Sequence, residues 1–362
     1  MHLPKFLIPL TLLSLTVSPV STHAESLTRI EAHDFGKMPD GTVIRQFTLR
    51  NANGMVVKVM TFGAMLMEIE APDRRGVFTN VVLGTNSFDA YLHNTFTAQS
   101  QVIGRFANRI AKARFTLDGV EYHLDANAGL HQIHGGRNGF GRQVWQAQML
   151  PPGKHEASVR FTHFSPDGED GFPGNVTANV TYTLNDYNEL RLDFQAATDK
   201  ATPINLCCHA YFNLAGHGSI RDQELWLNAD HYTVTDSELI PTGEIAPVKG
   251  TPLDFTTPML IGARAAQLKP HAGLYDNNFS INGAGAGKSL VLAARARDPQ
   301  TGRVLEVRTT QPGIQLYTGN PQAFALETQH YPDSVNHPNF PSTILRPGKT
   351  FKSTTVFSFS AK

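Results

Sequence analysis

The chain has 362 residues, of which 41% are hydrophobic and 17% charged, enough apolar material for a large core and too little charge for a disordered chain. Lysine plus arginine equals aspartate plus glutamate at 31 each, so there is no basic field for nucleic acid and no acidic tail. The two cysteines, Cys207 and Cys208, are adjacent and provide no disulfide framework. They are more consistent with buried small apolar residues than with redox groups.

The first residues, "MHLPKFLIPLTLLSLTVSPVSTHA", have the pattern of a secretory signal. Lys5 is a short positive region, residues 6–17 are apolar, and Ala24 lies at a small-residue cleavage position. We therefore expect residues 1–24 to be a cleaved signal peptide and the protein to be periplasmic or secreted, without a membrane attachment. The alternative is a retained anchor, but the apolar stretch is interrupted by Pro9 and is shorter than the roughly 20 residues that span a bilayer.

Residues 25–362 show no linker or composition shift and are predicted to be one large domain. In chain order, "TNSFDAYL" predicts one or two helical turns, and "FTLDGVEYHL" predicts a hairpin with its turn at Asp118-Gly119. "NVTANVTYTLNDYNELRLDFQAAT" and "SLVLAARARDPQTGRVLEVRTT" each alternate on both sides of a polar turn. With 30 glycines and 22 prolines between short strands, the sequence predicts an all-β fold, a large antiparallel β-sandwich.

Five stretches place ionisable or amide groups beside turn residues. They are "IGRFANRI", "LHQIHGGRNGFGRQVW", "TPINLCCHAYFNLAG", "YDNNF" and "FALETQHYPDSVNHPNFP". Each has a structural alternative: Arg109 as a surface cation, His134 as a turn residue, His209 as a hydrogen-bonded core histidine, and Glu327 as a solvated acid at a strand end. The apolar surroundings of His209 should disfavour its charged form, and a carboxylate beside Phe324 is costly to bury without a partner or a role.

Metal and cofactor motifs are absent from the sequence. There is no HExxH motif and no Cys/His ligand spacing, and His330 and His337 have no obvious third partner. A glycine-rich phosphate loop and a GxSxG elbow are also missing. We therefore expect neither a metal nor a cofactor.

Eight stretches, in order along nearly the whole of residues 25–362, resemble the aldose 1-epimerase (galactose mutarotase) family. They are "GRFANRI", "HGGRNGFGRQVW", "SPDGEDGFPGN", "LCCHAYFNLAG", "DSELIPTGEIAPVKGTPLDF", "YDNNF", "QPGIQLYTGN" and "ALETQHYPDSVNHPNFP". The resemblance implies a large antiparallel super-sandwich with a sugar cleft on one face, an aldose as the small-molecule partner, and no cofactor or metal.

Carried over by position, the resemblance implies that His209 and Glu327 are the catalytic acid/base pair. It also implies four sugar-binding residues: Asn108, Arg109, His134 and Asp276. Two departures from the family pattern stand out. Cys207-Cys208 replaces a polar pair such as Thr-Asn before the histidine, and Asp276 is followed by Asn277 rather than by a histidine.

The implied reaction interconverts the α and β anomers of aldohexoses such as glucose and galactose. It needs a base for the C1 hydroxyl and an acid for the ring oxygen, and a carboxylate and a protonated imidazole suit these roles. Two other classes use similar residues: a glycoside hydrolase with two carboxylates, and a carbohydrate-binding β-sandwich without catalysis. Neither the preferred aldose nor the choice between monomer and homodimer follows from these residues.

Overall fold

The computed structural model describes residues 1, 2, 4, 27–93, 99–269, 271–284 and 289–362. Nearly all of the expected export signal lies outside these described residues. The chain first forms a five-stranded antiparallel sheet in the order β1-β2-β3-β4-β5. Its strands are β1 (Ile30–Lys37), β2 (Val43–Arg50), β3 (Val56–Met60), β4 (Leu66–Pro72) and β5 (Phe78–Asn80).

The later strands form two further large sheets and several two-stranded ladders. In chain order they are β6 (Val102–Ile103), β7 (Arg109–Ile110), β8 (Arg114–Leu117), β9 (Val120–His123), β10 (Gln132–Ile133), β11 (Gln146–Met149), β12 (Glu156–Ser165), β13 (Val176–Asn185), β14 (Glu189–Thr198), β15 (Thr202–Pro203), β16 (Cys207–Cys208), β17 (Tyr211–Phe212), β18 (Glu224–Leu227), β19 (His231–Thr235), β20 (Pro241–Pro247), β21 (Met259–Leu260), β22 (Asp276–Ser280), β23 (Val291–Arg297), β24 (Arg303–Thr309), β25 (Gly313–Asn320), β26 (Ala323–Gln329), β27 (Ile344–Leu345) and β28 (Thr350–Ala361).

The nine-stranded sheet has the order β11-β12-β13-β14-β28-β24-β23-β18-β21, and the six-stranded sheet has the order β17-β26-β25-β22-β19-β20. A continuous hydrophobic core joins the three large sheets. Phe47 and Val59 contribute from the five-stranded sheet, Tyr182 from the nine-stranded sheet, and Leu316 and Leu326 from the six-stranded sheet. The all-β antiparallel prediction is confirmed, because alternating strands bury one face each against this shared core.

The three predicted hairpins are present. Asp118 and Gly119 connect β8 to β9 with φ of 51° and 81°, left-handed values that fit the right-handed twist of the paired strands. Strands β13 and β14 pair up to Leu184 opposite Leu190, and β23 and β24 pair up to Arg297 opposite Val304. Local turn chemistry and alternation were therefore sufficient to place them.

In the described residues the α-helix content is a single short segment, α1 (Phe88–Leu92), at the predicted position. The Ser87 side chain accepts a hydrogen bond from the Ala90 amide at its start. Short 3₁₀ turns cover Ala111–Ala113, Phe140–Arg142, Glu169–Gly171, Ala265–Gln267 and Ser334–Asn336. No helix among the described residues has the length and apolar character needed to cross a bilayer.

Candidate active site

A cavity of about 390 Å³ opens on one face of the six-stranded sheet. All six residues singled out from the sequence line it: Asn108, Arg109, His134, His209, Asp276 and Glu327. They come from segments that are far apart in the chain, so the tertiary structure alone brings them together. Tyr211, Tyr317, Leu239 and Leu274 complete much of the wall.

Three strands of the six-stranded sheet place polar side chains on the cavity floor. Gln315 of β25 lies opposite Glu327 of β26, and Tyr317 of β25 lies opposite Asp276 of β22. Opposite residues in an antiparallel pair, and alternate residues along one strand, point to the same face. These four side chains therefore share one face, and Glu327 lies inside β26 rather than at a strand end.

His209 lies in the short connection between β16 and β17. Its amide donates to the carbonyl of Gln101, and its carbonyl accepts from the amide of Ser100. The imidazole stacks on the Tyr211 ring, with centroids 4.8 Å apart and planes inclined by 27°, and its ring centroid lies 5.3 Å from that of His134. Backbone and ring contacts thus fix the direction of the imidazole toward the sheet.

His209 and Glu327 meet at the centre of the site. Nε2 of His209 lies 3.3 Å from Oε1 of Glu327, and only 5% and 2% of the two side chains are exposed. Burial, and then the charge of Asp276, raises the pKa of Glu327 to about 8. Burial lowers the pKa of His209 to about 4. Burial therefore disfavours the charged imidazole, as expected from the sequence. With a pKa of about 4, His209 alone would hold little proton at neutral pH.

The opposed pKa shifts have one physical cause. Each ionised form loses water on burial, so the charge-free pair, a protonated Glu327 beside a neutral His209, is favoured near neutral pH. Moving the proton across the 3.3 Å contact gives the ion pair without changing the number of protons bound. The two groups are therefore described as one titrating pair that holds one proton.

Asp276 is held by two donors. Its Oδ1 accepts from Nε2 of Gln315 at 2.6 Å, and its Oδ2 lies 3.5 Å from a guanidinium nitrogen of Arg109. Burial raises the pKa of Asp276, while the Arg109 charge lowers it in part. A carboxylate and a guanidinium side by side present an acceptor and a donor, which match the hydroxyl groups of a sugar.

Asn108 and His134 are locked together beside this pair. The His134 amide donates to the Asn108 carbonyl at 3.0 Å, and the Asn108 amide donates to Nδ1 of His134 at 3.3 Å. Because Nδ1 accepts, the neutral ring carries its proton on Nε2 and can donate from there. Burial lowers the pKa of His134 well below its ordinary value. Gly135 follows because a Cβ there would lie 1.9 Å from the Gly104 carbonyl oxygen.

The sequence analysis did not assign roles to Gln315, Tyr211 or Cys207, which all contribute to the site. Gln315 could have been recognised as a polar residue that alternates with Ile314 and Leu316 in "GIQLYTGN". Among the aromatic side chains near the site, Tyr317 lines the cavity, where its ring could stack on a sugar. Phe212 instead packs in the core against Phe324 and Phe357, as aromatic residues usually do. Both cysteines are free and buried, as expected.

Within the described ranges, no group of three or more His, Cys, Asp or Glu side chains is arranged to hold a metal ion. A second cavity, of about 330 Å³, is lined mainly by Ile220, Ile261, Tyr275 and glycines, and Arg221 is its charged residue. The cavity with the histidine–glutamate pair is therefore the candidate active site.

Known proteins resemble this chain over most of its length. The aldose 1-epimerase family model matches residues 45–358. The galactose mutarotase of Rattus norvegicus is 42% identical over 347 residues, which cover 90% of this chain and 97% of the relative, and the aldose 1-epimerase of Escherichia coli strain K12 is 36% identical over 345 residues, with the same coverage.

Solved structures agree with these matches. The galactose 1-epimerase from Lactobacillus acidophilus NCFM superimposes with a TM-score of 0.80 at 27% identity, covering 92% of this chain and 98% of that one. The aldose epimerase homologue from C. elegans gives a TM-score of 0.78 at 29% identity, covering 87% and 98%. With the family model matched over most of the chain and curated relatives well above 30% identity, this chain belongs to the aldose 1-epimerase family.

Proposed function

We propose that this protein is a mutarotase, an isomerase that interconverts the α and β anomers of aldohexoses such as glucose and galactose. The proposal depends most on one observation: His209 and Glu327 face each other at 3.3 Å inside a cavity with the volume for one sugar ring. The curated relatives named above carry this activity in their names, galactose mutarotase and aldose 1-epimerase.

The reaction needs one proton removed and one proton added at the same time. The base takes the proton of the C1 hydroxyl, the acid protonates the ring oxygen, and the bond between C1 and the ring oxygen breaks to leave a carbonyl at C1. Rotation about the C1–C2 bond presents the other carbonyl face, and the reverse transfers close the ring. Glu327 as carboxylate and His209 as imidazolium can supply both transfers.

The proton count of the pair is conserved through the cycle. Opening moves the His209 proton to the ring oxygen and the C1 hydroxyl proton to Glu327, so the pair ends as a protonated Glu327 beside a neutral His209. That is the arrangement that burial favours. Closing returns both protons, and no proton has to be exchanged with solvent. A buried pair with one proton therefore suits a reaction that has no net proton change.

The walls of the cavity are suited to hold the other hydroxyl groups. Arg109 and Asp276 offer a charged donor and acceptor, and His134 offers a neutral donor. These groups bind the sugar in the proposal, while His209 and Glu327 act on C1 and the ring oxygen. Orientation by the walls converts the two proton transfers into steps within one complex.

The arrangement favours this chemistry over glycoside hydrolysis. A glycosidase needs two carboxyl groups as its acid and its base or nucleophile. Here the close partner of Glu327 is an imidazole, and both oxygens of Asp276 are already engaged by Gln315 and Arg109. Hydrolysis of an aryl glycoside by the purified protein would instead support the hydrolase alternative.

Polarimetry on freshly dissolved α-glucose and α-galactose tests the proposal. The wild-type protein should speed the approach to the equilibrium rotation, and Glu327→Gln should lower kcat/KM by roughly 100-fold or more, because the shape is kept while the base is lost. Calorimetric titration should show that Glu327→Gln still binds the sugar. An active wild-type protein, together with a variant that binds the sugar but has lost the rate, would also separate an enzyme from a binding protein that has no catalysis.

Glu121→Gln is a matched control. Glu121 also lies near an imidazole, with Oε1 3.1 Å from Nε2 of His123, but 49% of its side chain is exposed. It should keep the wild-type rate. A wild-type protein that leaves both rotations unchanged, or a Glu327→Gln variant with the wild-type rate, would contradict the proposed function.

We also propose that the protein is exported and that residues 1–24 are removed. The support is the charge, apolar run and small residues of the sequence. Cell fractionation followed by N-terminal sequencing of the soluble exported protein tests this, and a chain that still begins at Met1 would contradict it.

The protein is proposed to be a monomer or a homodimer. Size-exclusion chromatography with light scattering distinguishes these two states.

A further inference from the structure

The two adjacent cysteines have different surroundings. Strand β16 pairs with β6 so that Cys207 lies opposite Ile103 and Cys208 lies opposite Val102, and successive strand residues point to opposite faces. Cys208 belongs to the main hydrophobic core, whereas Cys207 packs in a small separate cluster. The Sγ atom of Cys207 lies 3.8 Å from Oε2 of Glu327. One cysteine of the pair therefore contacts the candidate base.

The two carboxyl oxygens of Glu327 have different neighbours. Oε1 lies 3.3 Å from His209, and Oε2 lies near the Cys207 thiol. We propose that Cys207 is a positioning residue, whose thiol donates a hydrogen bond to Oε2 of Glu327 and holds Oε1 toward His209 and the sugar. This inference rests on the proposed mutarotase activity and assigns a role to a residue that departs from the family pattern at this position.

The thiol remains a donor under working conditions. Burial, and then the charge of Glu327, raises the pKa of Cys207 well above its ordinary value, so the sulfur keeps its proton at neutral pH. Cys207 has no exposed surface, so water does not compete for the carboxyl oxygen on that side. A donor aimed at a carboxyl oxygen favours the ionised form over the acid.

Other titratable or charged groups also lie near Glu327. They are His209, Asp276, Arg109, Cys208, Tyr211 and Tyr317. Asp276 favours the protonated carboxyl, and Arg109 favours the carboxylate. None of these side chains is altered by a substitution at Cys207. A change in the pH profile after such a substitution therefore reports on the thiol contact.

Loss of the donor has a defined consequence for the pair. The shared proton should stay more firmly on Glu327, so the productive form, with a carboxylate beside a protonated His209, becomes rarer. The last proton should also leave the pair at higher pH. We therefore expect kcat/KM near neutral pH to fall and the alkaline limb of its pH profile, which reports on the free enzyme, to move to higher pH.

Cys207→Thr and Cys207→Val form the main test. Their side chains have nearly the same shape and differ in one hydroxyl group, so packing changes should be shared while the donor is present only in threonine. Relative to Cys207→Thr, the valine variant should lose about five- to tenfold in kcat/KM at pH 7, the net effect of one ordinary hydrogen bond. Its alkaline limb should lie about half to one pH unit higher.

Cys207→Ser and Cys207→Ala provide a second pair, without added bulk, if the larger side chains prevent folding. The matched control is Cys208, the neighbouring buried cysteine, whose Sγ lies 3.9 Å from the Tyr182 hydroxyl. Cys208→Ser and Cys208→Ala should change the melting temperature but leave the alkaline limb in place. A purely structural role of Cys207 would give the same pattern as Cys208.

The outcomes separate this inference from the proposed function. A shift of the limb in the valine or alanine variant, restored by threonine or serine and absent in the Cys208 variants, supports the positioning role. Equal pH profiles within both Cys207 pairs would overturn it, even if Glu327→Gln abolishes mutarotation. A wild-type protein without mutarotase activity would instead overturn the proposed function on which the inference rests.

Discussion

The burial of an ionisable group at the site should make the protein less stable as the pH rises, and Glu327→Gln should remove this dependence. The pKa of Glu327 is about 8 in the folded protein, compared with an ordinary value of 4.5. Between these values the folded state holds a proton that the unfolded state has released. The free energy of unfolding contributed by Glu327 is therefore fully present below about pH 4.5 and is lost as the pH rises through 8.

The size of the effect follows from the two values. At 1.36 kcal/mol per pH unit, the interval from 4.5 to about 8 corresponds to at most about 5 kcal/mol. Glutamine does not titrate, so the stability of Glu327→Gln relative to wild type should rise by up to this amount between pH 5 and pH 9. His209 has a lowered pKa of about 4, so its contribution is lost only on the acid side, as the pH falls below 6.5.

Urea unfolding followed by tryptophan fluorescence, at half-unit steps from pH 5 to pH 9, measures this difference. The Glu121→Gln variant should run parallel to wild type at every pH, because about half of the Glu121 side chain is exposed to solvent. If Glu327→Gln also runs parallel to wild type, the carboxyl of Glu327 titrates normally in the folded protein. The account of a buried pair sharing one proton would then be refuted.

Four further results are expected. His209→Asn should lower kcat, and the double variant with Glu327→Gln should lose less than the product of the two single losses in polarimetric assays, because both act in one proton relay. Asp276→Asn should raise KM by about tenfold with a smaller change in kcat, since its oxygens organise the sugar-binding wall, and a normal KM would contradict that role. Arg105→Met should lower the free energy of unfolding by at least about 3 kcal/mol, because the buried guanidinium donates to four backbone carbonyls in residues 165–174, and an unchanged melting temperature would argue against this. Exhaustive chelation should leave the rate unchanged, whereas a loss that zinc restores would show that a metal takes part.

Several features of the fold could be predicted because they depend on neighbouring residues. Asp118 and Gly119 adopt left-handed backbone conformations that few other residue types accept, so the hairpin between β8 and β9 is specified locally. Alternation along β13 and β14 fixed which residues face the core, since a slip by one residue would reverse every side chain. The ordered motifs likewise named the residues that line the cavity.

The order of the strands within the three sheets could not be read in the same way. Strand β28 at the end of the chain pairs with β14 and β24, and β17 pairs with β26. Such long-range pairings depend on which buried faces fit together, and no short stretch carries that information. The approach of His209 to Glu327 follows directly from the pairing of β17 with β26.

The sequence by itself determined which chemical groups are available. They are the side chains of His209, Glu327, Arg109 and Asp276, each in a motif that follows the order of the family. Only the tertiary structure decided how they titrate and what they contact. Desolvation acts through all the atoms around a group, so the opposed pKa shifts of His209 and Glu327 arise only when the core closes over them. The contact of Cys207 with Glu327 is also decided by the tertiary structure, because β16 pairs with β6 and packs against β26.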